Sequence, residues 1–414
     1  MHTSQATVIA IGDELLYGQV VNTNTVWISQ ELQKRGVRVY RQVVVGDETD
    51  SILSVLDAAI IHSDLIIMTG GLGPTNDDLT KGILNNYFGG KLVRNNEVHE
   101  HVRSIFTKLN KPMLPANEAQ ADVPDVCRVL FNNFGTAPGM WFEQNGKIVI
   151  PLPGVPAEMQ HILEQSVFPL LNDSWMAEPI LHKHLLTVGI GESFLASKIE
   201  DLESALPPYI RLAYLPNYGS VKLRLTTHGS VHRDIEKEIT DWQQKIKNRI
   251  EENVIAEEDL KIEDVLGRLL LDKKLNVATA ESCTGGMIGS RISDVPGSSR
   301  YFKGAVVSYA YDVKSEVLGV DPEHLLREGA VSEYTVKKMA QEVLNVMNAE
   351  VSVAVSGILG PGGATDEKPL GTVWMAWASK EKTHSKVFHF RYDRWRNKES
   401  VVQAALIGLI KFIQ

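Results

Sequence analysis

Apolar residues in this chain come in short runs whose period switches between that of a strand and that of a helix. Val8–Gly12 is a brief apolar run closing on Gly-Asp. Asn22–Arg35 sets Val26, Ile28 and Leu32 at helical spacing with Gly36 as a stop, and Val37–Val45 is β-branched. Thr49–Ile61 returns to helical spacing, and Asp64–Met68, apolar from Leu65 on, reads as a buried strand ending at Thr69-Gly70-Gly71. Such alternation predicts a parallel sheet with helices on both faces. Lys147–Leu152 reads as another strand, closed by Pro153-Gly154, and Val155–Leu171 as the helix after it.

From Asp173 to Glu258 the pattern changes. Leu181–Val188 and Arg211–Leu215 read as strands. In Val221–Leu225, apolar Val221, Leu223 and Leu225 alternate with Lys222 and Arg224, so one face of that strand meets solvent. Val231–Glu252 is highly charged but keeps Ile235, Ile239, Trp242, Ile246 and Ile250 on one stripe, the mark of an amphipathic helix. This stretch is a small α+β unit with no chemistry of its own. Past Lys261, residues Ile262, Val265, Leu266, Leu269 and Leu270 form a helical face. Strands are expected at Asn276–Ala280, Ala305–Ala310, Val351–Ser356 and Thr372–Ala378, and Lys398–Ile413 as a closing helix. The expected fold class is therefore α/β, with two α/β sandwich domains at residues 1–172 and 259–414 joined by a small α+β linker domain at 173–258.

Composition agrees with this plan. A length of 414 residues, 43% hydrophobic and 22% charged, supplies two or three ordinary cores without cross-links. The two cysteines, Cys127 and Cys283, are far apart and make no metal-ligand spacing, which fits a reducing compartment. The formal net charge of −9 argues against nucleic acid as a partner, because backbone binding calls for a basic surface. A small phosphorylated molecule held by backbone N–H groups remains compatible with it. Met1–Ala6 is polar, Val8–Ile11 is too short for a signal-peptide core, and Ala404–Ile413 is too short for a membrane span and contains Lys411. No membrane contact is expected, and a cytoplasmic location is.

Two glycine-rich loops carry the candidate chemistry. In the first, Met68-Thr-Gly-Gly-Leu-Gly-Pro-Thr-Asn-Asp-Asp-Leu-Thr80 follows an apolar strand. Its glycines allow close backbone approach to a ligand. A helix starting at Thr75 and Asn76 would offer free N–H groups to a phosphate. Asp77 and Asp78 in its first turn, with Asp13-Glu14 from a neighbouring strand end, would suit a hard cation. Helix capping alone would explain either aspartate singly, but not the whole string.

In the second, Thr279-Ala-Glu-Ser-Cys-Thr-Gly-Gly286 joins a strand to the helix Met287–Ser293. Ser282 and Cys283 are both candidate nucleophiles, and Gly285 and Gly286 are expected to leave N–H donors for an oxyanion. No histidine stands in a suitable context, so a lysine of depressed pKa is the candidate base. Lys314 is placed just past the strand Ala305–Ala310, at the sheet edge. Gly357-Ile-Leu-Gly-Pro-Gly-Gly363 is a further loop of phosphate-cradling type, and Arg394, just before the last helix, could pair with a phosphate.

These strings resemble the CinA family. Ile11-Gly-Asp-Glu-Leu-Leu16, Gly18-Gln-Val-Val-Asn-Thr-Asn24, Gly70–Asp78, Gly135-Thr-Ala-Pro-Gly139 and Leu152-Pro-Gly-Val-Pro-Ala-Glu-Met159 are similar to its N-terminal, molybdopterin-binding-like domain. That resemblance implies metal-dependent hydrolysis of ADP-ribose. A divalent metal held by Asp77, Asp78, Asp13 and Glu158 would polarise the pyrophosphate and activate water. Gly70, Gly71, Gly73, Thr75 and Asn24 would then meet the substrate. Ala280–Gly286, Pro296-Gly-Ser-Ser299, Gly329-Ala-Val-Ser332, Lys368-Pro and Gly371-Thr-Val373 are similar to the family's C-terminal amidase domain. There the implied reaction converts nicotinamide mononucleotide (NMN) to nicotinic acid mononucleotide and ammonia, with no cofactor. The implied roles are Ser282 as nucleophile, Lys314 as base and Tyr309 as its assistant. Cys283, Thr284, Gly285, Gly286, Ser356, Gly360 and Gly362 would touch substrate, and Arg394 its phosphate. A homodimer is implied as well.

The chain departs from the family pattern at two places. Tyr309-Ala-Tyr-Asp-Val-Lys314 stands where Tyr-Ser-Asn-Glu-x-Lys is usual. Ser356 replaces a threonine and Leu359 a smaller residue, so Tyr311 and Leu359 add bulk near the expected pocket. Two other readings stay open at this point. One is a nucleotide-binding or regulatory member of the family with one or both activities lost. The other, on fold analogy alone, is a molybdopterin-handling protein.

Overall fold

The apolar run that begins at Leu65 becomes a strand buried on both faces. In the computed structural model Leu65–Thr69 is fully inside, with Leu65 and Ile67 facing one hydrophobic cluster and Ile66 and Met68 the other. That is the two-residue period of a strand sandwiched between helical layers. The structure describes residues 5–75, 77–174, 180–227 and 234–414. They divide into two units, one comprising the described residues up to Leu181, the other His182–Thr227 and Asp234–Gln414. The first residues of the expected helix Val231–Glu252, and Asn76, lie outside the described residues.

The first unit holds strands β1 (Gln5–Ile11), β2 (Arg38–Val45), β3 (Leu65–Thr69), β4 (Leu92–Arg94), β5 (Asp122–Pro124), β6 (Arg128–Leu130), β7 (Gly139–Gln144) and β8 (Lys147–Leu152). Six of them form one sheet in the order β2-β1-β3-β8-β7-β6, parallel from β2 to β8 and antiparallel beyond. The helices Asn24–Lys34 and Thr49–His62 cover opposite faces through Ile28 and Leu32 on one and Ile52 and Leu56 on the other. The element after β8 starts at Pro156, not Val155, and includes a π-helical turn at Leu163–Val167. Proline at the first helical position sets this start, since its missing N–H would be unpaired there in any case.

The second unit has two sheets. Strands β9 (His182–Val188), β10 (Ile210–Asn217), β11 (Ser220–Thr227) and β12 (Val254–Ala256) form an antiparallel sheet in the order β10-β11-β9-β12. The helix Ile235–Arg249 packs on it, and Gln243 takes the buried place expected of Trp242. Its amide donates to the carbonyls of His184 and Glu257 at 2.8 and 2.9 Å, which makes its burial tolerable. Leu186 and Val188 of β9 join the same hydrophobic cluster as Leu266, Val353 and Leu406.

The other sheet contains β13 (Val277–Glu281), β14 (Phe302–Val307), β15 (Val351–Gly357), β16 (Thr372–Ser379) and β17 (Thr383–His389), in the order β14-β13-β15-β16-β17. β14, β13 and β15 run parallel, while β15, β16 and β17 are antiparallel. β17 was not anticipated from the pattern. Its link to β16 is too short for a crossover, so the pair can only be a hairpin. β14 follows β13 on one side and β15 pairs with it on the other, so the crevice at the carboxyl end of β13 is a topological switch point.

Candidate active site

The turn after β13 is built on a buried carboxylate. Glu281, fully buried, accepts hydrogen bonds from the Thr279 and Thr284 hydroxyls at 3.1 and 2.7 Å. It also accepts from the backbone N–H groups of Gly286, Ile288 and Gly289 at 2.9, 3.1 and 2.8 Å. An acid inside the fold thus satisfies the orphan donors at the start of the helix Met287–Ser293. This corrects the expectation for Gly285 and Gly286. The Gly285 N–H donates to the Ser282 carbonyl at 3.1 Å and that of Gly286 to Glu281, so neither is free for an oxyanion.

Ser282 is held across the crevice by its own N–H, which donates to the Val355 carbonyl of β15 at 3.1 Å. Its hydroxyl lies 3.1 Å from Lys314 Nζ. Lys314 does not sit at the sheet edge. β14 stops at Val307, and the chain leaves the sheet through Ser308–Ala310 to start the helix Tyr311–Leu318, which carries Lys314 in its first turn. The Ser308 and Tyr309 carbonyls, turned away from the sheet, accept from Nζ at 2.5 and 3.1 Å. Lys314 is 0% exposed, and burial pulls its ammonium down to about 8. At that value a useful fraction is neutral near pH 7 to 8. The two carbonyls then take the two amine protons, and the lone pair is left for the Ser282 hydroxyl. Cys283 is buried too, but burial pushes its thiol up to about 12, so it offers little thiolate.

A cavity of about 500 Å³ opens at this point, lined among others by Ser282, Lys314, Ser356, Lys368 and Arg394. Ser356 is 1% exposed and its hydroxyl has no partner among the described residues, an orphan polar atom on the cavity wall. Arg394 is the first residue of the closing helix, not a residue before it, because Asp393 caps that helix by accepting from the Arg396 N–H. Its guanidinium donates to the Gly360 carbonyl at 2.6 Å and to the Tyr309 hydroxyl at 3.2 Å. The Tyr309 ring is therefore turned to Arg394 while its carbonyl serves Lys314. Gly363 lines the cavity and Gly360 reaches it through Arg394, whereas Gly362 lies off the wall. Tyr311 lines the cavity and accepts from the Ala330 N–H at 3.3 Å; Leu359 is mostly sunk into the core beneath. Sequence reasoning missed Asn397. It is buried, donates to the Leu359 and Tyr392 carbonyls, and pins the loop before Arg394. Glu281 was legible only as part of the string, not as its anchor.

The first loop is arranged differently. A Cβ on Gly70 would stand 2.2 Å from the Ile11 carbonyl oxygen, and one on Gly71 2.2 Å from Thr80 Oγ1, so these glycines serve the loop's contact with the protein itself. Asp78 accepts from the Thr75 N–H and hydroxyl at 2.9 and 2.5 Å and closes a turn. The helix consequently starts at Thr80, and Asp77 and Asp78 precede it instead of occupying its first turn. Glu158 accepts from Asn132 at 2.7 Å and lies against Gly135. Asp13 meets Asp47, each accepting from the other's N–H, at 3.4 and 3.0 Å. Burial pushes the Asp47 carboxyl up, and the charges of Asp13, Glu14 and Asp77 add to it. Among the described residues no three carboxylate, histidine or cysteine side chains already form a metal-holding group. Asp13 and Asp77 both act on Asp47, but with Asp78 turned onto Thr75 and Glu158 onto Asn132 the quartet does not form one ligand set among the described residues. Asn24 bridges Thr69 and Gly154 at 3.1 and 2.8 Å and leaves its buried Oδ1 without a partner among the described residues. No helix among the described residues is long and apolar enough to cross a membrane.

The geometry can be set beside known proteins. Residues 7–173 match the model of a probable molybdopterin binding domain, 182–256 that of the damage-inducible protein CinA KH domain, and 259–413 that of the CinA C-terminal domain. A CinA-like protein of Cytophaga hutchinsonii is 45% identical over 409 residues, covering 99% of this chain and 97% of that protein. A putative competence-damage inducible protein of Acetivibrio thermocellus is 42% identical over 408 residues, covering 99% and 98%. Among solved structures, the protein CinA of Thermoplasma acidophilum is 35% identical and covers 41% of this chain and 97% of its own, with a TM-score of 0.37.

Removing the anchor should be costly. Glu281→Ala leaves several buried donors unpaired and should destabilise the second unit by at least about 3 kcal/mol, against about 1 kcal/mol for Thr284→Ala. Denaturant unfolding measures both, and equal stabilities would show that the carboxylate anchors nothing.

Proposed function

The chain belongs to the CinA family, and from that premise we propose that its C-terminal cavity hydrolyses the carboxamide of nicotinamide mononucleotide. The observation that carries this reading is the buried Lys314 amine, 3.1 Å from the Ser282 hydroxyl and pulled down to about 8. Neutral Lys314 takes the hydroxyl proton as Ser282 Oγ attacks the carboxamide carbon. The same proton passes to the departing nitrogen, ammonia leaves, and an ester on Ser282 remains. Water then splits the ester by the same exchange, releasing the carboxylic acid and restoring Ser282. The unpartnered Ser356 hydroxyl is available to the substrate's polar atoms, and the remaining donors of Arg394 to its phosphate.

For the first loop we propose binding of a phosphorylated nucleotide such as ADP-ribose at the carboxyl ends of β1, β3 and β8. The unpartnered Asn24 Oδ1 supports it. Because the expected carboxylate quartet does not fit as one ligand set, no metal-dependent step is derived there. This favours, for the N-terminal half alone, the reading of a nucleotide-binding site over a pyrophosphatase.

Ser282→Ala should reduce ammonia release from the mononucleotide by at least about 1,000-fold, while Cys283→Ala stays within about tenfold of the parent. The reverse result would transfer the nucleophile's role to Cys283. Because only the neutral amine accepts a proton, kcat/KM should rise about tenfold per pH unit below 8 and level off above it. A flat profile across pH 6 to 9 would exclude Lys314 as base. At the first loop, calorimetry with ADP-ribose should record binding that Asn24→Ala weakens. AMP release with added divalent cations would instead restore the pyrophosphatase reading.

A further inference from the structure

A further cleft lies away from both sites. It belongs to the second unit, between the helix Arg394–Ile413 and the edge strand β17, and has a volume of about 770 Å³. Its apolar surface comes from half-buried Phe388, Ile407 and Phe412, with Trp377, only 3% exposed, lying beneath the exposed His384 ring. The Trp377 ring is stacked with that of His384, centroids 6.0 Å apart and planes 20° from parallel. Gly408 makes this arrangement possible, since a Cβ there would stand 2.1 Å from the indole.

The cleft also carries Lys382, Lys386 and Lys411. Lys382 Nζ donates to the Phe412 carbonyl at 3.1 Å and lies 4.5 Å from the Phe412 ring centre, and Lys386 Nζ lies 5.3 Å from the Phe388 ring centre. Among the described residues none of the three ammoniums forms an ion pair. In a chain of net charge −9, three unneutralised cations gathered at one apolar cleft form a local field opposite in sign to the whole. The complement is a ligand with several negative charges at one end and a flat apolar body at the other. The volume lies within the range of about 300–1,000 Å³ usual for small-molecule sites.

We propose that this cleft binds a nucleoside polyphosphate, its base against the aromatic wall and its phosphates on Lys382, Lys386 and Lys411. Stacking on aromatic faces holds a base of any sequence, and charge-assisted bonds hold the phosphates. The site is independent of the amidase reading, because none of its residues lines the Ser282 cavity.

The test is calorimetry of the full chain with AMP, ADP and ATP in the presence of a chelator. Affinity should rise at least about threefold per added phosphate and fall with salt. The triple variant Lys382→Gln/Lys386→Gln/Lys411→Gln should lose at least about tenfold in ATP affinity, with its ammonia release from the mononucleotide unchanged. Arg394→Gln, in the other cavity, should bind ATP as the parent does. Undiminished ATP binding by the triple variant overturns the proposal, as does an absence of binding by the parent. Binding of an oligonucleotide but of no mononucleotide also overturns it, in favour of a strand-binding groove. Should the triple variant fail to fold, the phosphate series in the parent decides, and equal affinities for AMP, ADP and ATP reject the site.

Discussion

The burial of one amine governs the C-terminal half. Lys314 is wholly inside, and among the described residues no carboxylate stands beside it to stabilise a positive charge. A lone ammonium out of water is costly, so the group gives up its proton more readily than a solvated lysine does. What makes the burial bearable is a set of acceptors for its N–H bonds. The Ser308 and Tyr309 carbonyls are available only because β14 ends before them. The same departure from the sheet starts the helix that carries Lys314. Strand length, helix start and the protonation of the amine are therefore one structural event.

Glu281 plays the opposite electrostatic part. A buried carboxylate would be as costly as a buried amine, but here it collects hydroxyl and backbone donors from a turn that otherwise could not be satisfied. It fixes the turn on which Ser282 stands, while Lys314 sets the chemistry available to that hydroxyl. Cys283, one residue on, lies on the same turn without a base of its own and with its thiol pushed up. In the proposed reaction, the preference for Ser282 over Cys283 rests on this asymmetry of surroundings, not on intrinsic reactivity.

The two glycine-rich loops read alike as sequence and differ as structure. After β3, Gly70 and Gly71 permit the loop to press on Ile11 and Thr80, and Asp78 closes a turn onto Thr75. After β13, Gly285 and Gly286 shape the turn, but its N–H groups are met from within by Glu281. After β13 the glycine N–H groups are thus met by the protein itself, while after β3 the Gly70 N–H donates to the Leu152 carbonyl at 3.0 Å. Among the described residues, Ser356 Oγ and Asn24 Oδ1, on a neighbouring strand and helix, are side-chain atoms left without a partner beside the two loops. Residues distant in sequence thus stand beside both loops.

By itself the sequence determined the alternation of elements, the strand β8 to the residue, the two loops at strand ends and the pairing of Ser282 with Lys314 as candidates. These follow from local periodicity and from motif strings, both of which are written in consecutive residues. It did not determine the end of β14, the hairpin β16–β17, the place of Gln243 under the middle sheet, or the late start of the helix after Gly70–Asp78. Each of those was decided by partners far along the chain that supply an acceptor, a neighbour strand or a steric limit. The same holds for the amine. That Lys314 is present could be read from the chain, but that it is dry, unpaired with acid and aimed at Ser282 arises only when Ser308, Tyr309 and the carboxyl end of β13 meet around it. Protonation and burial are properties of surroundings, and only the tertiary structure provides those.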